Sequence, residues 1–466
     1  MAKIALIVPN FLLREEFGDI SDPPIGIASI AAWLERHGHE IMIIDAMAEN
    51  IGLGEVASRL QAFAPVAVGI SCNYCPLHNQ TLLLAAKIKQ QLGNRVTVFV
   101  GGNHASAMAD NLLRGAAGNI DVIVTGEGEL TALNLITALE AKAPLSQVAG
   151  LAYLESGSVR RTPPQAMVED IDSLGMPAYH LLPMHLYRRY NIVSMRGCPY
   201  SCSYCASTAI FSRKVRYRSP ESVVAEIEHL LKTYGPRQFW FSDDTFTVNR
   251  THTTTMLRSM VERTGGISWS CLTTVNSVKA DLLELMRDSG CEYISYGVES
   301  GNPDTLAAIG KKTTPASIAA TSRLTHSVGL RHYGFFIFGF VDETWDSVYD
   351  TYKLIHECEL DGGGMNILIP LPGTRMWTTL VHERGAFTPD EILWDELFAR
   401  LPNENRIPYA AELAARWTRM SAPDLLEACR IGQRMFDISR HLKGGRIEQI
   451  PADAALAIST NTQTGA

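Results

Sequence analysis

Hydrophobic and polar positions alternate in a regular way over the first 145 residues. Short, continuously apolar runs predict buried strands at Ile4–Val8, Glu40–Asp45, Val66–Ser71, Val96–Val100 and Val122–Thr125. Apolar residues at helical spacing predict helices at Pro24–Arg36, Gly54–Phe63, Asn79–Leu92, Ala105–Arg114 and Glu129–Ala141. Apolar strands that alternate with amphipathic helices are typical of a parallel sheet covered on both faces. We therefore predict a doubly wound α/β domain at residues 1–145.

A second strand–helix alternation occupies roughly residues 191–400. The first predicted strand contains Ile192 and Val193 and ends at Arg196-Gly197, and the others are Gln238–Ser242, Trp269–Thr274, Glu292–Gly297, His332–Phe338 and Asn366–Ile369. The predicted helices are Ser219–Tyr234, Thr251–Arg263, Lys279–Ser289, Thr314–Ser327 and Trp345–Glu357. Polar residues collect after these strands, as they do at the active face of parallel barrels. About six units are too few for a closed eight-stranded barrel, so we predict a partial, TIM-like (β/α)6 barrel.

The two remaining regions are less regular. Residues 146–190 contain a predicted hairpin, Val148–Leu154 with Val159–Thr162, followed by several prolines, and we interpret them as a linker. Residues 401–466 form a helical C-terminal region, with predicted helices at Ala410–Ser421 and Pro423–Lys443 after a helical Glu391–Leu401. The small, polar stretch from Ser459 onward predicts a frayed tail.

Composition narrows the class of protein. A net charge of −8 and the lack of a basic run with interleaved aromatics argue against a nucleic-acid partner. No apolar run approaches the roughly 20 residues that span a bilayer, so we expect no membrane span. Nine cysteines, an odd number with three clustered, are typical of a reducing cytoplasm rather than of a disulfide framework.

The strongest chemical signal is a short loop after a predicted strand. Cys198, Cys202 and Cys205 have the spacing C-x3-C-x2-C. Thiolates are soft ligands, and three of them on one loop suit a [4Fe–4S] cluster that keeps one iron open to a small molecule. The alternatives are a zinc site, for which no fourth Cys or His stands nearby, and unrelated buried thiols.

Three loops at predicted strand ends of the first domain carry glycine and polar residues. They are Ser71–Tyr74, Gly101–Ala105 and Thr125–Glu129. Their glycines would let the backbone approach a large flat ligand closely, although tight turns alone would also explain them. Cys72 and Cys75 form a C-x2-C without a second pair, so we favour loop packing over a metal site there.

The cysteine loop, with Tyr204 before its last cysteine, resembles the signature of the radical SAM superfamily, whose open iron chelates S-adenosylmethionine (SAM). Later motifs extend the resemblance to its cobalamin-dependent members, in the order D-D-x-F-x-x-N from Asp243, G-V-E-S-G from Gly297, G-x-x-x-E-T from Gly339 and P-L-P-G-T from Pro370. Phe340-Val341 departs from the usual form of the third motif. The first domain is similar to the Rossmann-like cobalamin-binding domain of that family.

The resemblance implies a role for particular residues. The Tyr204 backbone and Gly339 would neighbour the adenine of SAM. Glu299 and Ser300 would meet its ribose or methionine end, and Asp243 and Asp244 would face the cavity. For the carboxylates, solvated strand ends or structural ion pairs remain alternatives. The implied cobalamin-binding residues are Ser71, Asn73, Gly101, Gly102, His104, Gly126 and Glu127. Because Pro9 to Pro24 contains no histidine, we predict cobalamin without an axial histidine from that loop, and we assign His104 to the nucleotide tail rather than to cobalt.

The implied reaction uses three cofactors: a [4Fe–4S] cluster, SAM and cobalamin. The reduced cluster cleaves SAM to a 5′-deoxyadenosyl radical, this radical removes hydrogen from a small-molecule substrate, and methylcobalamin supplies the methyl group. This reaction needs no catalytic side chain beyond the cluster ligands. It does need an electron donor such as flavodoxin or ferredoxin. The alternatives are a cyclase, ring-contracting or oxidising enzyme similar to the anaerobic porphyrin cyclases, and a non-catalytic cobalamin or redox sensor.

Overall fold

The computed structural model describes residues 1–10, 22–397 and 409–442. The chain divides between Arg188 and Arg189 into two compact units. We refer to the described residues before this point as the first unit and to those after it as the second unit.

The first unit is built on a seven-stranded sheet. Its strands are β1 (Lys3–Val8), β2 (Glu40–Asp45), β3 (Ala67–Ser71), β4 (Thr97–Gly101), β5 (Val122–Val124), β6 (Leu151–Glu155) and β7 (Ser158–Arg161). The strand order is β2-β1-β3-β4-β5-β6-β7, and the first five strands are parallel. The order reverses between β1 and β3, so the crevice beyond their carboxyl ends is where such sheets bind ligands.

Helices cover this sheet. They are α1 (Ile25–Arg36), α2 (Leu53–Phe63), α3 (Leu77–Leu92), α4 (Asn103–Ala107), α5 (Ala109–Gly115) and α6 (Gly128–Ala141). The apolar strand residues and the inner helix faces form one buried core, with Val68, Val98 and Leu112 completely inaccessible. The predicted helix Ala105–Arg114 is two helices, because the chain leaves helical geometry at Met108.

The hairpin of the predicted linker has a different place. Leu151–Glu155 pairs antiparallel with Val122–Val124, and Ser158–Arg161 pairs with Leu151–Glu155. The hairpin is therefore the outer edge of the first sheet and not a free connector. Apolar residues on its inner strand explain this placement, since Leu151 and Ala152 are buried.

The second unit is built on a six-stranded, wholly parallel sheet. Its strands are β8 (Arg189–Ile192), β11 (Gln238–Phe241), β12 (Trp269–Thr273), β13 (Cys291–Glu299), β14 (Arg331–Phe338) and β15 (Gly362–Ile367). They lie in the order β15-β14-β13-β12-β11-β8, as expected of a partial barrel whose strands follow one another along the chain. A separate antiparallel pair, β9 (Met195–Arg196) and β10 (Arg216–Tyr217), flanks the cysteine loop.

Several helices of the second unit begin at a residue whose side chain accepts a hydrogen bond from the first turn. The helices of this unit are α7 (Ala206–Phe211), α8 (Pro220–Tyr234), α9 (Arg250–Thr264), α10 (Ala280–Asp288), α11 (Pro303–Ala308), α12 (Pro315–Ser327), α13 (Trp345–Glu357), α14 (Arg375–Thr378), α15 (Tyr409–Ala414) and α16 (Ala422–Leu442). The Ser219 side chain caps α8, and reciprocal capping boxes begin α12 and α13. In the part of the chain that the structure describes, no helix is long and apolar enough to cross a membrane.

Further predicted elements differ from the structure. The predicted helix Ala410–Ser421 is helical only over Tyr409–Ala414 and continues as turns. The last strand begins at Gly362 rather than Asn366, because three consecutive glycines gave no apolar signal. The predicted helix Glu391–Leu401 is instead two short 3-10 turns, Pro389–Glu391 and Trp394–Glu396, and its end lies outside the described residues. The predicted tail from Ser459 also lies outside them.

Candidate active site

The cysteine loop is held in a conformation that only glycine permits at one position. Gly197 has φ +94°, and a Cβ atom there would overlap the carbonyl oxygen of Lys214. The amide of Gly197 donates to the Asp244 carboxylate, which also accepts a hydrogen bond from Ser207 Oγ at 2.7 Å. Both ends of the loop are therefore attached to the residue that follows the neighbouring strand β11.

The three thiols lie close enough for their charges to interact. Burial raises the pKa of Cys198, Cys202 and Cys205. The negative charges of Asp244 and of neighbouring sulfurs raise the pKa of Cys198 and Cys205 further, and the negative charge of Glu299 raises that of Cys202. Cys198 Sγ lies 3.4 Å from Thr245 Oγ1. The thiols are thus neutral until a positively charged centre binds them, as thiolate-bound iron does.

Among the described residues, no three His, Cys, Asp or Glu side chains converge on one point as ligands of a single ion. A cubane cluster binds each thiolate to a different iron, so it does not require such convergence. The donor set, three thiolates on one loop, fits a [4Fe–4S] cluster.

Asp243 is used by the backbone around the cysteine loop. Its carboxylate accepts hydrogen bonds from the amides of Ser194, at 2.7 Å, and Met195, at 3.0 Å, and from Ser194 Oγ. The side chain is fully buried, and burial raises its pKa to about 7 despite these donors. Asp243 thus fixes the exit of β8, which is the structural alternative to the predicted SAM contact.

Glu299 takes part in a buried ion pair. Lys311 Nζ donates to Glu299 Oε1 at 2.9 Å, and the Tyr204 hydroxyl also donates to this carboxylate. Burial disfavours the Lys311 cation, but attraction to Glu299 outweighs this cost and raises the lysine pKa. The structure therefore brings a cation, a carboxylate and the cysteine loop together.

The backbone around Glu299 makes room for this pair. Glu299 has φ +72°, and the β13–β14 register shifts between Gly297 and Glu299. A Cβ atom at Gly297 would lie 2.6 Å from Glu299 Oε1 and 3.0 Å from Lys311 Nζ. Non-glycine residues at positive φ cost of order 1–3 kcal/mol and are concentrated at functional sites.

Ser300 is buried in the turn that follows. Its hydroxyl accepts from the amide of Asn302 at 3.1 Å and lies 3.4 Å from Thr351 Oγ1. The amide of Gly301 donates to the same threonine at 2.9 Å. Ser300 thus attaches the strand end to α13, and its hydroxyl is engaged within the protein.

Gly339 begins a turn at the end of β14. It has φ +91°, and its amide donates to the carboxylate of Glu343. Phe340 packs edge-to-face against Tyr204, with ring centroids 5.8 Å apart. Through this contact the turn reaches the cysteine loop, and Tyr204, Glu299 and Gly339 form one neighbourhood.

In the first unit, two of the three predicted loops are hydrogen-bonded to each other. Asn73 Nδ2 donates to Ser71 Oγ at 3.1 Å, and Asn73 Oδ1 accepts from the amide of Asn103 at 3.2 Å. Gly102 has φ +108°, and a Cβ atom there would overlap Asn73 Oδ1. Ser71, Asn73, Gly101 and Gly102 therefore lie together at the carboxyl ends of β3 and β4.

The third loop is hydrogen-bonded to the residue that directly follows the second loop. The amide of Gly126 donates to Ser106 Oγ at 3.2 Å. A Cβ atom at Gly126 would have no neighbour within 4 Å, and one at Gly101 would meet only Val124, at 3.8 Å. The backbone at both glycines is open to a large ligand, as a corrin ring and its tail require.

His104 and Glu127 face the protein. His104 Nε2 and His78 Nδ1 are 2.9 Å apart, and burial lowers the pKa of both imidazoles, that of His78 to about 4. Glu127 is buried and accepts a hydrogen bond from the amide of Val168 at 3.0 Å. Both side chains thus hold the loops from inside.

Cys72 and Cys75 are completely or almost completely buried beside this neighbourhood. Burial raises the pKa of both thiols, that of Cys72 to about 12. The burial of both side chains is what packing within the loop produces.

Sequence reasoning missed several residues of the site. Lys311 lies in a loop 12 residues after its partner Glu299, at a position without a local signal. Glu343 could have been found, because it is the glutamate of the G-x-x-x-E-T motif. Gly197 could also have been recognised as a turn glycine, because it lies between the strand and the first cysteine.

Comparisons with known proteins agree with this geometry. The family profile described as the Radical SAM superfamily matches residues 192–355, and that described as the B12 binding domain matches residues 21–136. An uncharacterized methyltransferase of Pyrococcus horikoshii is 32% identical over 382 residues, which are 80% of this chain and 82% of the relative. The chain belongs to the cobalamin-dependent radical SAM family.

Other members of the family support the assignment. The anaerobic magnesium-protoporphyrin IX monomethyl ester cyclase of Rubrivivax gelatinosus is 30% identical, over 77% of this chain and 66% of the relative. The radical SAM methyltransferase TsrM of Kitasatospora setae, solved with cobalamin and a [4Fe–4S] cluster, superimposes with a TM-score of 0.73 at 17% identity, covering 94% of this chain and 89% of TsrM. This radical SAM protein is an enzyme with the family's cofactors: a [4Fe–4S] cluster, SAM and cobalamin.

Proposed function

We propose that this enzyme is a C-methyltransferase that methylates an unactivated carbon of a small-molecule biosynthetic precursor. The observation that carries the proposal is the loop of Cys198, Cys202 and Cys205 at the carboxyl end of a parallel sheet, in a chain with a B12 binding domain. The relative from Pyrococcus horikoshii is named a methyltransferase, and TsrM is a methyltransferase solved with tryptophan as substrate.

The residues of the second unit suit the binding of SAM. When bound, the cluster supplies the electron that cleaves SAM, and cobalamin carries the methyl group. Lys311 and Glu299 offer a cation and a carboxylate, which complement the carboxylate and ammonium of the methionine end. Phe340 and Tyr204 offer aromatic surface for the adenine.

The first unit suits cobalamin through its backbone. Gly101 and Gly126 would let the corrin and its tail approach the main chain, while Asn73 holds the loops between them in register. His104 holds the same loops from the buried side, opposite His78. An electron donor such as flavodoxin or ferredoxin in the cytoplasm would complete the system.

Methyl-labelled SAM tests the proposal. The enzyme is reconstituted anaerobically with iron, sulfide and cobalamin, reduced, and incubated with candidate substrates chosen from the neighbouring genes. We expect 5′-deoxyadenosine together with a product that carries the labelled methyl group. The triple Cys→Ala variant at Cys198, Cys202 and Cys205 is the control and should form neither.

Two outcomes would contradict methyl transfer. A verified product without label would favour a cyclase or related oxidation, in line with the relative from Rubrivivax gelatinosus. A reconstituted enzyme that makes no 5′-deoxyadenosine with any substrate would favour a cobalamin or redox sensor.

A further inference from the structure

The turn of Gly339 to Glu343 is held from two sides. On one side, the Glu343 carboxylate accepts hydrogen bonds from the amides of Gly339 and of Phe340, the latter at 3.2 Å. On the other side, the indole Nε1 of Trp417 donates to the carbonyl of Gly339 at 2.7 Å. Trp417 lies 78 residues later in the chain, in the segment that follows α15.

Main-chain hydrogen bonds align this segment with the turn. The amide of Asp342 donates to the Trp417 carbonyl at 3.0 Å, and the amide of Arg419 donates to the Glu343 carbonyl at 2.9 Å. A Cβ atom built on Gly339 would lie 3.1 Å from the Cβ of Ala414. The C-terminal segment therefore helps to fix both the orientation and the position of the turn.

These bonds leave the turn little hydrogen-bonding capacity for a ligand. The amides of Gly339 and Phe340 are taken by Glu343, and the Gly339 carbonyl is bound by Trp417. The turn can then contribute to a neighbouring adenine mainly through its shape and through the Phe340 ring. The position of such a surface depends on what holds it from behind.

Resting on the proposed function, we infer that Trp417 is a positioning residue for the SAM pocket. Its indole N–H donates to the carbonyl of Gly339 and so fixes the turn against which the adenosyl end of SAM would pack. Phe340, in the same turn, packs against Tyr204 in the cysteine loop. Trp417 itself lies behind the turn and does not touch SAM. The C-terminal segment thus sets the affinity for SAM without providing a ligand to the cluster.

Trp417→Phe tests the inference, since it keeps an aromatic ring and removes the N–H. Trp269→Phe is a matched control, because the buried Trp269 indole donates to the Ser289 carbonyl at 3.0 Å at the opposite end of the sheet. SAM dissociation constants are measured by anaerobic equilibrium dialysis, with iron content and the cluster spectrum recorded for each protein. A neutral hydrogen bond is worth about 1 kcal/mol, so we expect Trp417→Phe to bind SAM about fivefold more weakly.

In the same variant we expect a higher KM for SAM, normal cluster content and nearly normal kcat, whereas Trp269→Phe should keep wild-type SAM affinity. Unchanged SAM affinity in Trp417→Phe, or an equal loss in Trp269→Phe, would overturn the inference. If Trp417→Phe does not fold, Ala414→Val replaces it, because the added methyl groups would push on Gly339 from the same side. Unchanged SAM affinity in Ala414→Val would also overturn the inference. A wild-type enzyme that binds no SAM would refute the proposed function, and the inference with it.

Discussion

The ends of β3 and β4 in the first unit and the strand ends beside the cysteine loop in the second unit are stabilised by different physical means. At the ends of β3 and β4, neutral groups bond to one another and to the backbone: Asn73 joins two loops, and two imidazoles that burial keeps neutral lie beneath them. In the second unit, the loops beside the cysteine loop surround buried or half-buried ionisable side chains, among them Asp243, Asp244 and the pair of Glu299 and Lys311.

This difference matches the ligands that each unit is proposed to hold. A corrin is large and flat, and open glycine backbone at the strand ends gives it shape complementarity. SAM and a thiolate-bound cluster are charged, so their site needs fixed charges of both signs in a dry environment, where electrostatic interactions are strong. The comparison teaches that similar α/β topologies can be specialised by the charge of a few buried residues at the strand ends.

The largest effect is expected at Gly197. In Gly197→Ala the new Cβ overlaps the Lys214 carbonyl, so the cysteine loop must move. We expect near-complete loss of cluster incorporation, measured by iron content and by the absorbance of the reconstituted protein. Gly235→Ala is the matched control: Gly235 has φ +85° but no atom within 4 Å of a built Cβ. It should cost only about 1–3 kcal/mol of stability and keep the cluster. Equal cluster loss in both would show that backbone conformation, not the overlap, is responsible.

The next effect sharpens the role of charge in the second unit. Lys311→Met leaves the Glu299 carboxylate buried without its cation, and breaking a buried pair in this way costs about 3–5 kcal/mol. Denaturant unfolding of the apoprotein measures the loss. The double variant Lys311→Met/Glu299→Gln should recover most of the stability but not SAM binding. If the single and double variants unfold alike, the pair does not act as a charge pair.

A smaller effect tests the role of shape in the first unit. In Gly102→Ala the new Cβ overlaps the Asn73 side chain and displaces the loops at the ends of β3 and β4. We expect cobalamin to bind about tenfold more weakly, a loss of about 1.4 kcal/mol, with cluster content unchanged. Gly118→Ala in the same unit, at φ +87° with nothing near a built Cβ, should keep its affinity for cobalamin. Unaltered binding in Gly102→Ala would remove the support for a backbone-shaped site.

The last comparison between the units concerns the pH dependence of stability. Burial lowers the pKa of His78 to about 4, so its contribution to stability is present above pH 6.5 and is lost as pH falls from 6.5 to 4. Burial raises the pKa of Glu343 from 4.5 to about 8, so its ionisation costs stability as pH rises through that window. Denaturant midpoints measured from pH 4 to 8 should therefore change slope in opposite directions in His78→Gln and Glu343→Gln. If the unfolding midpoints of both variants and of the wild type depended on pH in the same way, the predicted roles of His78 and Glu343 in stability would be wrong.

Sequence reasoning succeeded where a signal was local. Apolar runs in the sequence predict the strands Glu40–Asp45 and Gln238–Phe241, and the spacing of the three cysteines predicts an iron–sulfur cluster. It failed where glycine carries a strand, as at Gly362, because an absent side chain leaves no hydrophobic pattern. It also could not show that the Asp243 carboxylate accepts hydrogen bonds from the backbone, or that the Trp417 indole donates to Gly339, since both depend on packing between distant segments.

The antiparallel pair of Met195–Arg196 and Arg216–Tyr217 has a consequence for the maturation of the enzyme. It joins the two ends of the segment that carries all three cysteines through main-chain pairing. The entropy lost in closing this loop is therefore part of folding the polypeptide and not of inserting the cluster. Cluster insertion becomes a late, local event on a folded protein, and an enzyme that has lost its cluster in air should be refilled without being unfolded first.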